Sequence, residues 1–520
     1  MNNKSYKLTK SNINSGLQCK KKLWFDLHEK IKEKDDPRKI IGNNFNIIVR
    51  KNYGKGLDLS NNKDIPDVVN KTQKAINSDK TNVIYEGAFI HQDTLVRTDV
   101  LIRKKNGWEL LEAKSSKSLK PEHIPDIAIQ SFIVKACKVN LSKIKLIHIN
   151  GEFSYKGNNN YDGLISENEI TSKVILKEKD VLNYINDLKS LAEKNKPCPS
   201  IPMGNHCKNP YPCIYQDKCK DEEPKNNFTS YKILPWCPND LKKYCEENKI
   251  MDLQKVPEKF LLNNRKGFAK HYYKIIQEAH KNNEPWINPN IKKVLKKFSF
   301  PFYFMDFEYV DQGVPIVENT KPYVKLPFQW SVHKWDSENS KIDNGKSFLG
   351  FDEHDIERQF IERLLEAVGD SGTVFAHNAT SAEVKILEQL KKKDNCKDLA
   401  AEIDKLIKRI EDTLILVGEN FYSPLMNGKY KIKNIIRAIP NCPINYEEKN
   451  NIAGGDDAQS AWFLCINPKT DLKKIEDQKK FLKDYCSKDT LAVYYLIKYL
   501  MEESKKNEKK FNYKISESYS

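Results

Sequence analysis

Between Val83 and Ile149 the chain alternates short apolar runs with polar turns, at the spacing of strands and helices in an α/β layer. Val83–Ile90 reads as a strand. Two further strand-length runs, Arg97–Arg103 and Trp108–Lys114, are joined by Lys104-Lys105-Asn106-Gly107, whose Asn-Gly pair favours a hairpin. A helix is expected from about Glu122 to Ala136, and a strand at Lys145–Ile149. Upstream, a basic amphipathic helix runs through Leu23, Trp24, Phe25 and Leu27 with Cys19 at its start, residues 33–65 are weakly patterned, and Thr72–Ile76 predicts a short helix. Residues 221–299 are Lys-rich with helical periodicity broken at Pro235, Pro257 and Pro285, which predicts a helical connector. Beyond it lie an aromatic strand at Phe302–Tyr309 and a second strand at Gly372–Asn378. They are followed by one helix carrying Glu383, Ile386, Leu387 and Leu390, and a late helix carrying Tyr485 to Asp489. Gly454-Gly455-Asp456-Asp457 reads as a turn and cap, and the charged, then Ser/Tyr-rich tail from Lys505 is expected to be disordered.

Composition narrows the class. A chain of 520 residues with 39% hydrophobic content has room for two or three packed domains. No run of about 18 apolar residues occurs, and the start, Met1-Asn2-Asn3-Lys4-Ser5, has no apolar stretch behind its lysine, so neither a membrane span nor a signal peptide is expected. The expected location is the cytoplasm. A net charge of +17 suits a polyanionic partner, nucleic acid above all. Twelve cysteines in a reducing compartment point to thiols and a metal site ahead of disulfides.

The chemistry concentrates in three places. In the hairpin, strand alternation sends Glu112 and Lys114 to one side, with Asp99 on the neighbouring strand. Two carboxylates suit a hard cation such as magnesium, and a lysine beside them can orient water or stabilise phosphate charge. In the second strand system Asp306 and Glu308 share a face, where two buried carboxylates repel unless a cation holds them. Tyr485 and Asp489, four apart, share a helix face. Between these regions Cys207, Cys213 and Cys219 recur with five residues between neighbours in a Pro-rich segment. A fourth ligand could come from Cys19, Cys198 or His206; a cubane iron–sulfur cluster wants four thiolates, whereas zinc accepts three cysteines and a histidine.

Residues 1–220 resemble the RecB-like PD-(D/E)XK nucleases, a restriction-endonuclease-like fold: Asp99, then Glu112-x-Lys114, match the family's D and E-x-K, and Gln130 matches the glutamine of its Q-x-x-x-Y motif, with Val134 at the tyrosine position. The resemblance implies a metal site at Asp99 and Glu112, catalytic Lys114 and Gln130, and a 4Fe-4S cluster on Cys19, Cys207, Cys213 and Cys219, with Cys198 spare. Residues 300–504 are similar to the DEDD (DnaQ-like) 3′–5′ exonucleases of the RNase H fold in their Y-x-x-x-D variant. That likeness implies magnesium or manganese on Asp306, Glu308, a middle acid and Asp489, with Tyr485 orienting the attacking water. For the middle acid Glu383, five residues after Asn378, is preferred to Asp412 in Glu411-Asp412-Thr413-Leu414. Together the two modules resemble an uncharacterised bacterial family. The expected architecture is thus α/β throughout: nuclease-like 1–220, connector 221–299, exonuclease-like 300–504 and tail 505–520. The expected activity is hydrolysis of DNA phosphodiesters, and the alternative is a nucleic-acid-binding scaffold with degenerate sites.

Overall fold

The computed structural model describes residues 6–31, 36–221, 227–351, 355–446 and 455–517, the side chains of Asp221 and of 507–517 excepted. It is a mixed α/β protein of two compact units: 1–225 with 312–324, and 226–311 with 325–520.

The first unit is built on a seven-stranded sheet of β1 (Leu8–Thr9), β2 (Leu57–Asp58), β3 (Val83–His91), β4 (Thr94–Lys104), β5 (Gly107–Lys114), β6 (Leu141–Ile149) and β7 (Ile165–Glu169). The order is β2-β3-β4-β5-β6-β7, with β1 pairing β4. The hairpin turn closes at Lys104 opposite Gly107, which sits at φ +126 where a Cβ would meet the Asn140 carbonyl. That register puts Val100 opposite Leu111 and so sets Asp99 beside Glu112. Leu101, Leu110, Leu146, Ile129 and Ile133 bury one face of the sheet against helix His123–Ala136. On the other face Phe45, Ile48 and Val49 pack with Val100, Leu111 and Ile147.

Those three residues belong to a helix, Pro37–Tyr53, in the stretch expected to be weakly patterned. Asp36 caps it and Pro37 opens it, as start signals should. Gly42, Asn43, Asn44 and Asn46 are poor helix formers, and burial of Ile41, Phe45, Ile48 and Val49 overrides that propensity.

The second unit carries a five-stranded sheet in the order β11-β10-β9-β12-β13 and a separate pair, β8 (Trp286–Ile287) with β14 (Phe421–Tyr422). Its strands are β9 (Phe302–Asp311), β10 (Lys325–Trp335), β11 (Lys346–Leu349), β12 (Thr373–Ala376) and β13 (Ile410–Asp412). β9 pairs β10 antiparallel and β12 parallel. The expected separate connector is part of this unit: Tyr231, Leu241, Leu253, Tyr273 and Ile276 share one core with Phe302, Phe304, Val493 and Leu496. Its Pro breaks delimit short helices that need that core to bury their apolar sides. The last helix runs Leu472–Glu517 and continues through most of the tail expected to lack structure, where Lys and Glu favour helix. Gly454 and residues 518–520 lie outside the described residues, and Asp456 and Asp457 stand in the first turn of helix Gly455–Ile466. No helix among the described residues is long and apolar enough to cross a membrane.

Candidate active sites

The first site forms where β4, β5, the N-terminal helix Lys10–Gln18 and helix His123–Ala136 meet. Thr9 ends β1 and caps the N-terminal helix in a capping box with Asn12, which fixes Lys10 at the sheet. Asp99 Oδ2 accepts the backbone N–H of Ala113 at 2.7 Å. Glu112 is the hub: Oε1 accepts from Lys10 Nζ at 2.9 Å and Lys114 Nζ at 2.7 Å, and Oε2 accepts from Gln130 Nε2 at 2.6 Å. A third carboxylate, Asp126, accepts from Lys114 Nζ at 2.5 Å and Asn14 Nδ2 at 2.7 Å, with Lys10 Nζ at 3.4 Å. The structure therefore brings Asp99, Glu112, Lys114 and Gln130 together. It adds Lys10, Asn14 and Asp126, to which no role attaches in the sequence. Asp126 lies one turn before Gln130, and Lys10 and Asn14 are one turn apart. Those spacings were the available signal.

Charge here is balanced pairwise. Burial and the neighbouring Glu112 push Asp99 up to about 8. Burial also opposes ionisation of Glu112 and Asp126, yet the ammonium groups of Lys10 and Lys114 hold both below their ordinary values. Lys114 is in turn raised well above its ordinary value, since Glu112, Asp126 and Asp99 outweigh its burial. The Gln130 Oε1 atom is buried without a hydrogen-bond partner.

Cys19, Cys207, Cys213 and Cys219 line a single pocket in the same unit, with Lys22, Phe25, Pro202, Met203 and His206. Gln18, beside Cys19, donates to the carbonyls of His206 and Tyr211 at 2.8 and 2.7 Å, tying the end of the N-terminal helix to the cysteine loop. Cys213 N–H bonds the Cys207 carbonyl at 2.9 Å. Cys198 lines a different pocket, with Trp24 and Lys218.

The second site stands on β9. Alternation carries Phe302 and Phe304 into the aromatic core against Phe375, Trp335 and Tyr494, and the same face continues as Asp306 and Glu308. Helix Leu472–Glu517 crosses that face, burying Ala492, Val493, Leu496 and Leu500 and presenting Asp489 one turn earlier. Carboxylate oxygens of Asp306, Glu308 and Asp489 lie within 4.8 Å of one another, the one such acidic or Cys/His group of three among the described residues. Burial first, then mutual repulsion, raises Asp306 and Glu308 well above the usual carboxylate range, and burial pushes Asp489 up to about 6.

Glu383 opens its helix beside this group. Burial pushes its carboxylate up to about 7, and its buried Oε2 has no hydrogen-bond partner. Asp412, the competing acid, is occupied on both oxygens: Oδ1 caps helix Thr413–Asn420 through Leu414 N–H at 3.0 Å, and Oδ2 accepts Thr380 N–H at 2.9 Å. Tyr485 lies one helical turn before Asp489, close enough to favour its ionised form. Two neighbours were not singled out from sequence. Tyr446 donates to Asp489 Oδ1 at 2.5 Å, and the Cys486 thiol approaches Asp306 Oδ2 at 3.4 Å. Cys486 was visible inside the Tyr485–Asp489 turn, whereas Tyr446 lies in an aperiodic stretch with no signal to find it.

Residues 303–431 match a family described as a domain of unknown function, DUF2779. No curated protein matches the chain. Among solved structures, the chain is similar to one described as the crystal structure of SSO0001, at 18% identity and a TM-score of 0.18 over 40% of this chain and 97% of that one.

Proposed function

We propose that this protein is a metal-dependent nuclease that hydrolyses DNA phosphodiesters, exonucleolytically and 3′ to 5′ at the second site, with a PD-(D/E)XK site in a restriction-endonuclease-like unit and a DEDD site in an RNase H-like unit. The observation that carries the reading is the convergence of Asp306, Glu308 and Asp489, the glutamate buried and the two aspartates half-buried, beside the orphaned Glu383 oxygen. Acids so placed and so raised have one economical partner, a divalent cation. Magnesium or manganese held there polarises phosphate oxygens and lowers the pKa of bound water. Tyr485, one helical turn before Asp489, brings its hydroxyl to the site, where it can orient a water. At the first site Asp99 and Glu112 are the cation ligands, Gln130 orients Glu112, and Lys114 brings positive charge to a phosphate. The protein is read as cytoplasmic, with DNA as its partner.

The test uses the full chain on labelled single-stranded and end-bearing DNA. Hydrolysis should require magnesium or manganese, and Glu112→Gln and Asp306→Asn should each remove a separable part of it. A double variant that digests as fast as wild type refutes the reading, and salt-sensitive DNA binding without hydrolysis would select the scaffold.

The cysteine pocket supports a 4Fe-4S cluster on Cys19, Cys207, Cys213 and Cys219, with zinc as the alternative occupant. Anaerobically purified protein is expected to absorb broadly near ~400 nm, with the band lost on oxidation and in Cys213→Ser. A colourless protein carrying one equivalent of zinc would select the alternative.

A further inference from the structure

Glu112 Oε1 takes two ammonium groups that differ in how else they are held. Lys114 has a second short bond, 2.5 Å to Asp126 Oδ2, whereas the other contact of Lys10 is the longer 3.4 Å to Asp126 Oδ1. That Asp126 oxygen already has Asn14 at 2.7 Å. Removing Lys10 from the site would thus leave each remaining bond in place: Lys114 and Gln130 on Glu112, Lys114 and Asn14 on Asp126, Ala113 on Asp99. Lys10 is also the group delivered from outside the sheet, at the first position of its helix. Next to Glu112, the Gln130 Oε1 acceptor is buried and unpartnered, so the site has acceptor capacity that these ammonium groups do not use.

We propose that Lys10 is the resident counter-cation of the first site, competing with a divalent metal ion for Glu112. The inference rests on the nuclease reading of that site. Glu112 Oε1 already carries two ammonium groups, and a divalent ion would add two further charges at the same carboxylate, so one ammonium must leave, and Lys10 is the one with the weaker second hold. Lys10 acts through Glu112 and is a positioning residue. It keeps the acid ionised and ordered until the metal arrives, at the cost of metal affinity.

The experiment is manganese titration by calorimetry on the full chain carrying Asp306→Asn and Asp489→Asn, which silences the second site. Lys10→Met should bind manganese about tenfold more tightly or better, and Lys10→Arg, which keeps the charge, should stay near the parent. A role confined to packing would weaken binding or leave it unchanged in Lys10→Met. Lys10→Gln repeats the measurement should the methionine variant fail to fold, and thermal melts report folding for all. Manganese bound by the parent and lost in Glu112→Gln, with Lys10→Met no tighter than the parent, overturns this inference alone. Parent and Glu112→Gln binding manganese equally overturns it together with the first-site reading.

Discussion

Replacing Asp489 with asparagine is expected to lower metal-dependent hydrolysis at the second site by about 10²–10³-fold or more while making the metal-free protein more stable at neutral pH. Both effects follow from one arrangement. Asp489 shares its cradle with Asp306 and Glu308, and burial pushes it up to about 6 from an ordinary 3.8. A carboxylic acid whose folded pKa lies above its unfolded one stabilises the fold in its protonated form. That contribution is whole below about pH 4 and is lost as pH rises through about 6. The displacement is worth about 3 kcal/mol. Asparagine keeps the shape and never ionises, so Asp489→Asn and wild type should melt together at pH 4 in chelator and separate between pH 4 and 7. Magnesium or manganese should then reverse the order at pH 8, because the cation binds the ionised wild-type site and not the variant. Melting curves of both proteins at pH 4, 6 and 8, with chelator and with manganese, check this. Equal melting temperatures at pH 8 in chelator would mean that these carboxylates do not strain the fold.

The acids of this site were legible because local periodicity sufficed. Asp306 and Glu308 are two apart on a strand, and Tyr485 and Asp489 four apart on a helix, so each pair shares a face whatever the tertiary context. Choosing between Glu383 and Asp412 needed more. Asp412 is consumed by two backbone N–H groups, and a capping role depends on where the next helix starts and where Thr380 ends up. Tyr446 reaches Asp489 across 43 residues from an aperiodic stretch, which no pattern along the chain encodes. The same limit applied at the first site. Asp99 and Glu112 could be paired by counting through a hairpin, but Lys10 meets Glu112 from 102 residues away. Boundaries failed for a related reason: the Pro-broken stretch before Phe302 looks self-contained in sequence, yet its apolar residues have no core except the one they share with Phe304 and Val493.

Glu112→Ala should be the most damaging single change in the first unit, destabilising it by about 3–5 kcal/mol. Three donors converge on that carboxylate: Lys10 and Lys114 on Oε1, Gln130 on Oε2. Alanine removes the acceptor for all three and leaves two ammonium groups against the one carboxylate of Asp126. An unpaired charge in such a place costs far more than the intact pair contributes. Glu112→Gln keeps one oxygen acceptor and the side-chain volume but leaves the same excess of ammonium charge, so it should recover only part of that stability while losing the charge a metal needs. Both variants should lose first-site hydrolysis, and the alanine variant should melt lowest, by about 10 °C on the usual scaling for a unit of this size, with the glutamine variant between it and wild type. Parallel thermal melts and nuclease assays separate the two effects. An alanine variant that melts with wild type would mean that Glu112 is not the acceptor on which the network depends, and the charge balance among Lys10, Lys114 and Asp126 would have to be re-assigned.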